Sequence, residues 1–138
     1  MSLVTLDIIT PERAIFHGQV TEVILPGELG QMGVLAGHSN LMTLIRAGEL
    51  IAKSADGERR FAVASGFAEV TAASVVVLVD SGEGASDIDV ERARRALAAA
   101  ESRSLDVAAA TADELEAHQE ELARARNRIA IFERSSRA

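Results

Sequence analysis

The sequence predicts an α+β fold, with an N-terminal antiparallel β-sandwich over residues 1–85 and a C-terminal antiparallel two-helix hairpin over residues 86–138. Three observations carry that expectation. Short apolar segments punctuated by glycine and proline fill the first part, with no helical pattern between them. The last glycine is Gly84, and alanine abounds beyond it. From there apolar residues recur at three- and four-residue spacing, the period of a helix face. A chain of 138 residues can bury roughly two thirds of its unfolded surface, enough for one core.

Val4, Leu6 and Ile8 alternate with Thr5 and Asp7, the period of a half-buried strand. Further apolar segments run Ala14 to Phe16, Val20 to Leu25, Leu41 to Ile45, Leu50 to Ala52, Phe61 to Ala64, Phe67 to Thr71 and Val75 to Val79. Pro11, Gly18, Pro26-Gly27, Gly48, Asp56-Gly57 and Gly66 read as turns between them, with Asp56-Gly57 the best hairpin signal. Gly27 to Leu41 reads as a glycine-rich loop whose apolar Leu29, Met32, Val34 and Leu35 are either tucked beneath it or presented to another protein. Ser81 to Ser86 is a small, polar connection.

Beyond it, Asp87 or Asp89 is placed to cap a helix whose face is Val90, Ala93, Leu97 and Ala100. Thr111 with Glu114 forms a capping box for a second helix. Its seam is Leu115, Leu122 and Ile129, filled in by His118, Ala125 and Phe132. Early acids and late arginines complement the dipole of this helix.

Net charge is −7, which argues against a general nucleic-acid binder, since such a protein must neutralise phosphates. No apolar run approaches the roughly twenty residues of a membrane helix, and none reads as a signal peptide. Absence of cysteine excludes disulfides, thiol catalysis and cysteine-ligated metals. The hairpin's bases are all arginines, grouped near residues 92–103 and 124–137. They form either a solvated face or a docking stripe for carboxylates.

No catalytic constellation emerges. His17, His38 and His118 share no metal-binding spacing, and His118-Gln119-Glu120 lacks the cysteines of a zinc deaminase. Gly27, Gly30 and Gly33 match neither a dinucleotide fingerprint nor a P-loop. Ser39 and Ser65 lack the context of a nucleophile elbow.

Leu6-Asp7-Ile8-Ile9-Thr10-Pro11-Glu12-Arg13, Val23-Ile24-Leu25-Pro26-Gly27, Gly30 through His38, Ser65-Gly66-Phe67-Ala68-Glu69-Val70, Val75 to Leu78, and Ile88-Asp89 with Arg92-Ala93 follow one another in an order and spacing that resembles the epsilon subunit of F-type ATP synthases, over nearly the whole chain. The chain departs from that family's Pro-Gly-His-Ala-Pro loop, having Ala36-Gly37-His38-Ser39-Asn40. Without the two fixed φ angles this loop is more flexible when unfolded, and is expected to order against its partners.

The resemblance implies a non-catalytic rotor subunit with no metal and no obligate cofactor. It would lie peripherally on the cytoplasmic face of the bacterial inner membrane, coupling rotation of the c-subunit ring to the gamma subunit. By resemblance the ring contact lies around Glu28, Leu29, Gln31 and Met32, and the gamma contact at His38, Leu41 and Thr43. The residues alone also read His38 as the anchor of its own loop. The hairpin would in turn reach the alpha/beta head and block ATP hydrolysis, with Arg124, Arg126 and Arg128 as docking residues. Some relatives bind regulatory ATP through an Ile-Asp-x-x-Arg-Ala motif. Here Asp89 and Arg92 match it, although the residues themselves favour Asp89 as a plain helix cap. The competing reading is a free-standing β-sandwich adaptor for another acidic protein.

Overall fold

A computed structural model describes residues 2–103 and 109–136. The strands are β1 (Val4–Ile9), β2 (Ala14–Val20), β3 (Glu22–Gly27), β4 (Gly30–Val34), β5 (Leu41–Ile45), β6 (Gly48–Ser54), β7 (Gly57–Val70) and β8 (Ser74–Gly84). A 3-10 turn (Ala85–Asp87) leads to helices α1 (Val90–Ser102) and α2 (Ala112–Ser136). The expected sandwich and helical pair are both present.

The pairings run β2-β1-β8-β7-β5-β3-β4, with β6 between β3 and β7. All are antiparallel except β1 with β8, where Thr5 to Ile9 run parallel to Ser74 to Leu78. β7 and β8 stay paired from Val70↔Val75 to Phe61↔Gly84 and serve both layers. Their first-layer halves join β1, β2 and β5; their second-layer halves join β6, β3 and β4. The core between the layers is aliphatic around Leu6, Ile8, Val23, Leu25, Leu50, Val63, Val75 and Val77, with Phe61 its largest side chain.

The crossing between layers is the main departure from the sequence reading. Gly66 is a strand residue within a single 14-residue β7. A Cβ there would sit 2.0 Å from the Leu78 carbonyl oxygen, so only glycine permits β8 to come this close. Beside it Ser65 holds φ 55°, which reverses which side chains face the core. Phe61 and Val63 point inward before it; Ala68 and Val70 point inward after it. Gly18 likewise lies inside β2, and Pro26-Gly27 closes β3. Asp56-Gly57 behaves as predicted, with a two-residue turn before Gly57 at φ 122°. The run Val20 to Leu25 is divided at Thr21, whose N–H and hydroxyl both donate to the Lys53 carbonyl, at 2.7 and 2.9 Å. The glycine-rich stretch contains β4, with Val34 in the core.

Asp89 caps α1, its carboxylate accepting the Arg92 N–H at 3.1 Å. Thr111 Oγ1 accepts the Glu114 N–H at 3.1 Å, giving the expected cap on α2. The helices run antiparallel, as their ion pairs trace: Arg103 with Glu121, Glu101 with Arg126, Arg94 with Glu133. Ala93, Ala100 and Ala125 are buried, so the helices approach on small residues. Leu115, Leu122 and Ile129 of the predicted seam are only half-buried. Ile131, off that seam, is fully buried against Ala62 and Ile88, because α2 has a second face turned to the sandwich.

Two outcomes follow. Gly66→Ala should lower stability by about 3 kcal/mol or more, since backbone must move to admit the methyl; urea unfolding within 1 kcal/mol of the parent would refute this packing. Arg103 donates to both carboxylate oxygens of Glu121 at 2.8 Å, and this holds the Glu121 carboxyl below its ordinary range. A lowered pKa in the folded state means that the pair supports the hairpin above the ordinary carboxylate pKa and is lost as pH falls through the lowered one. Helical circular dichroism should therefore decline more on acidification in the parent than in Glu121→Gln; identical acid profiles would count against the pair.

Candidate functional site

The two layers turn very different outer faces to their surroundings. On the first layer a cross-strand row runs Ala14↔Ile9↔Leu78↔Phe67↔Leu44 through β2, β1, β8, β7 and β5. Alternation puts these side chains opposite the core. Leu44, Phe67 and Leu78 are 54%, 42% and 41% exposed, and neighbouring Met42 is 63% exposed. Open apolar side chains aligned across adjacent strands make this face a candidate interaction surface. The next row is His17↔Asp7↔Val76↔Glu69↔Met42, with His17 Nδ1 2.5 Å from Asp7 Oδ1. An apolar stripe bordered by charge resembles the core and rim of a protein interface.

Of the residues predicted to meet gamma, Leu41 and Thr43 lie on β5 but pair with the inward-pointing Val70 and Ala68, so they face the core side of the strand, opposite this row. His38 lies in the loop before β5, its Nδ1 donating to the Ser39 carbonyl at 2.7 Å. Phe67, Leu78 and Ile9 were not foreseen as surface residues. Their strands read as apolar runs, and only the pairing register aligns their outward members.

The predicted ring-contact residues gather at the β3–β4 hairpin. Leu29 occupies its tip, completely exposed, between Glu28 and Gly30 at φ 121°. Glu28 lies 3.9 Å from Arg46, Gln31 is exposed, and Met32 packs partly against the core. Leu29 is thus presented outward, whereas Met32 and Val34 are tucked inward.

On the second layer the outer row is Glu49↔Ala62↔Glu83, and α2 lies across it. Ile131 fills the centre against Ala62 and Ile88, with Ala85 and Phe132 around them. Arg128 is hydrogen-bonded to Glu83, and Asn127 donates to the Gly48 carbonyl at 2.9 Å. Because this face is covered, Phe61 to Ala64 are all buried, which explains their unbroken apolar run.

Next to this contact lies a cleft of about 270 Å³ lined by Arg92, Arg124, Arg128, Asn127 and Glu83. It unites Arg92, predicted for nucleotide, with two arginines predicted for the head. Arg124 Nε is buried there without a hydrogen-bond partner. Asp89, in contrast, is engaged as the α1 cap. Arg126 turns to α1 and lies 3.5 Å from Glu101. Arg137 falls outside the described residues. Among the described residues no group of histidine and carboxylate side chains could hold a metal, and no helix is long and apolar enough to cross a membrane.

A profile of the ATP synthase, Delta/Epsilon chain, beta-sandwich domain matches residues 3–85. The chain is 40% identical over 126 residues to the ATP synthase epsilon chain of Anaeromyxobacter sp. (strain K), covering 91% of this chain and 92% of that one. It is 41% identical over 131 residues to the ATP synthase epsilon chain of Synechococcus sp. (strain WH7803), covering 94% and 95%. Its fold is similar to that of a chain in the cryo-EM structure of the Euglena gracilis mitochondrial ATP synthase, OSCP/F1/c-ring in rotational state 1. The TM-score is 0.77 and the identity 21%, covering 94% of this chain and 81% of that one.

Proposed function

The chain belongs to the ATP synthase epsilon chain family, and on that premise we propose that it is a non-catalytic rotor subunit that passes rotation of the c-ring to gamma from the cytoplasmic face of the bacterial inner membrane. The observation that carries this reading is the open row Leu78–Phe67–Leu44, continued by the half-buried Ile9. Gamma covers it together with Met42, and reaches Leu41, Thr43 and His38 around the end of β5. The ring meets the β3–β4 tip through Leu29, flanked by Glu28, Gln31 and Met32. This assigns the 1–85 sandwich to rotor docking and the 86–138 hairpin to regulation.

A coupling of this kind must resist shear. Its two contact regions belong to one hydrogen-bonded system, since β3 pairs with β5 at Gly27↔Ile45 and β5 pairs with β7 along its length. Load entering at the β3–β4 tip reaches the gamma face through backbone ladders and a close-packed core, not through a free loop. Catalysis plays no part in that task.

The hairpin regulates hydrolysis by leaving its seat and presenting Arg124, Arg126 and Arg128 to the alpha/beta head. While it is docked, Arg128 is held by Glu83 of the sandwich, so this arginine is available to the head only after the hairpin leaves its seat. A second reading has its own support in the buried, unpartnered Nε of Arg124. An anion such as a nucleotide phosphate in the arginine-lined cleft would satisfy it and bridge α2 to α1 through Arg92.

Leu44→Glu combined with Phe67→Glu should leave the fold intact, because both side chains are exposed, and weaken binding to purified gamma by about a hundredfold. Unaltered gamma affinity would overturn the face assignment. Leu29→Asp should spare gamma binding and loosen retention on the ring. Calorimetry of the full chain should give heat with millimolar ATP that Arg124→Ala abolishes; silence in the parent rejects the cleft as a nucleotide site. A chain ending at residue 86 that inhibits hydrolysis as fully as the parent would exclude the hairpin as inhibitor.

A further inference from the structure

We propose that Glu49 and Glu83 form an electrostatic latch that holds α2 on the sandwich and sets how readily the hairpin leaves it. The latch rests on the reading that the hairpin detaches. Its logic lies in what the seat is made of. Three buried apolar side chains, Ala62, Ile88 and Ile131, form the plug between α2 and the sheet. Polar and charged contacts ring that plug, so they carry a large share of the attachment.

Glu49 and Glu83 flank Ala62 in a single cross-strand row, which places one carboxylate on either side of Ile131. Glu83 is hydrogen-bonded to Arg128, and both side chains are about three quarters or more buried. Glu49 is deeper, its side chain 10% exposed. Its Oε1 accepts from Arg60 of β7 at 2.8 Å, a contact that stays when α2 departs. Its Oε2 is buried with no hydrogen bond, and Arg134 of α2 lies 3.6 Å away as the cation facing it. The positions 127, 128, 131 and 134 all fall on one helical face, so one rotation of α2 engages Asn127, Arg128, Ile131 and Arg134 together.

The division of labour at Glu49 is what makes this a latch. Arg60 keeps the carboxylate oriented whether or not α2 is present, since Arg60 is itself held 2.9 Å from Glu58 within the sandwich. The second oxygen is left for the helix. A pre-oriented, largely desolvated charge attracts more strongly than a solvated one and costs little reorganisation on docking. When α2 lifts, water reaches both carboxylates, so the open state is the more hydrated one. Salt favours that open state by screening the attraction.

The absence of cysteine makes the test direct. Ala62→Cys places one thiol beneath Ile131, where a thiol reagent enters only when α2 lifts; Ala85→Cys at the plug's edge is the second reporter. On the full chain, Glu49→Gln and Glu83→Gln should each raise the labelling rate about fivefold, while Glu69→Gln, which neutralises a carboxylate on the outer face of the other layer, leaves it unchanged. Raising salt to about 1 M should speed labelling of the reporter and have no effect on the Glu49→Gln/Glu83→Gln double variant. Labelling faster than global unfolding but indifferent to all three changes overturns the latch alone. Labelling no faster than global unfolding of the same variants shows that the hairpin does not detach, and overturns the latch together with the regulatory reading.

Discussion

The architecture depends on one close backbone contact, where Gly66 passes the Leu78 carbonyl. There β7 and β8 leave one layer and enter the other without losing register, so two strands hold both sheets. The change of facing at Ser65 makes Phe67 an outward residue while Phe61 stays in the core. With a side chain at Gly66 the strands would be pushed apart, and the apolar row and the helix seat would lose the common frame that sets one on each outer side of the sandwich. The placement of both surfaces therefore follows from a single missing Cβ.

Those surfaces are built from different forces. The outer face of the first layer is aliphatic and aromatic, attractive to any partner that can exclude water from it, and little affected by salt. The seat of the hairpin has a small apolar centre and a charged border. Apolar contact suits an association that must persist under load. Charge suits one whose strength responds to conditions, because partly hydrated ion pairs are close to balance between Coulomb gain and desolvation. The α1–α2 contact lies between these, with alanines at its centre and Arg103–Glu121 and Glu101–Arg126 across it.

Much of the fold was legible from spacing. The alternation of β1, the Asp56-Gly57 hairpin, the Asp89 and Thr111 caps and the α1 face follow from local rules that tertiary context did not override. Illegible features were those set by distant partners. Gly66 looks like any turn glycine until β8 is beside it. Ile131 looks like a stray apolar residue until Ala62 lies below it, because its companions Asn127, Arg128 and Arg134 are polar and give α2 no second hydrophobic stripe. The same holds for the candidate site: the family resemblance drew attention to Leu29 and to β5, whereas Ile9, Leu78 and Phe67 form one row only through register. The arginines at 124 and 128 were noticed for their charge, but their inward direction required the fold.

The parallel pairing of β1 with β8 bears on how the chain acquires its structure during synthesis. Thr5 and Ser74 are 69 positions apart in sequence, yet adjacent in the sheet. The strand that leaves the ribosome early can pair at once with β2, but its other edge has no neighbour until β8 has been made. A ladder closed over so long a separation pays its loop entropy late and raises contact order, which slows folding. Until then the nascent chain carries an open edge and an uncovered row of Val4, Leu6 and Ile8. The sandwich is thus expected to close in a single step near the end of its own translation, with the helical segment still emerging behind it.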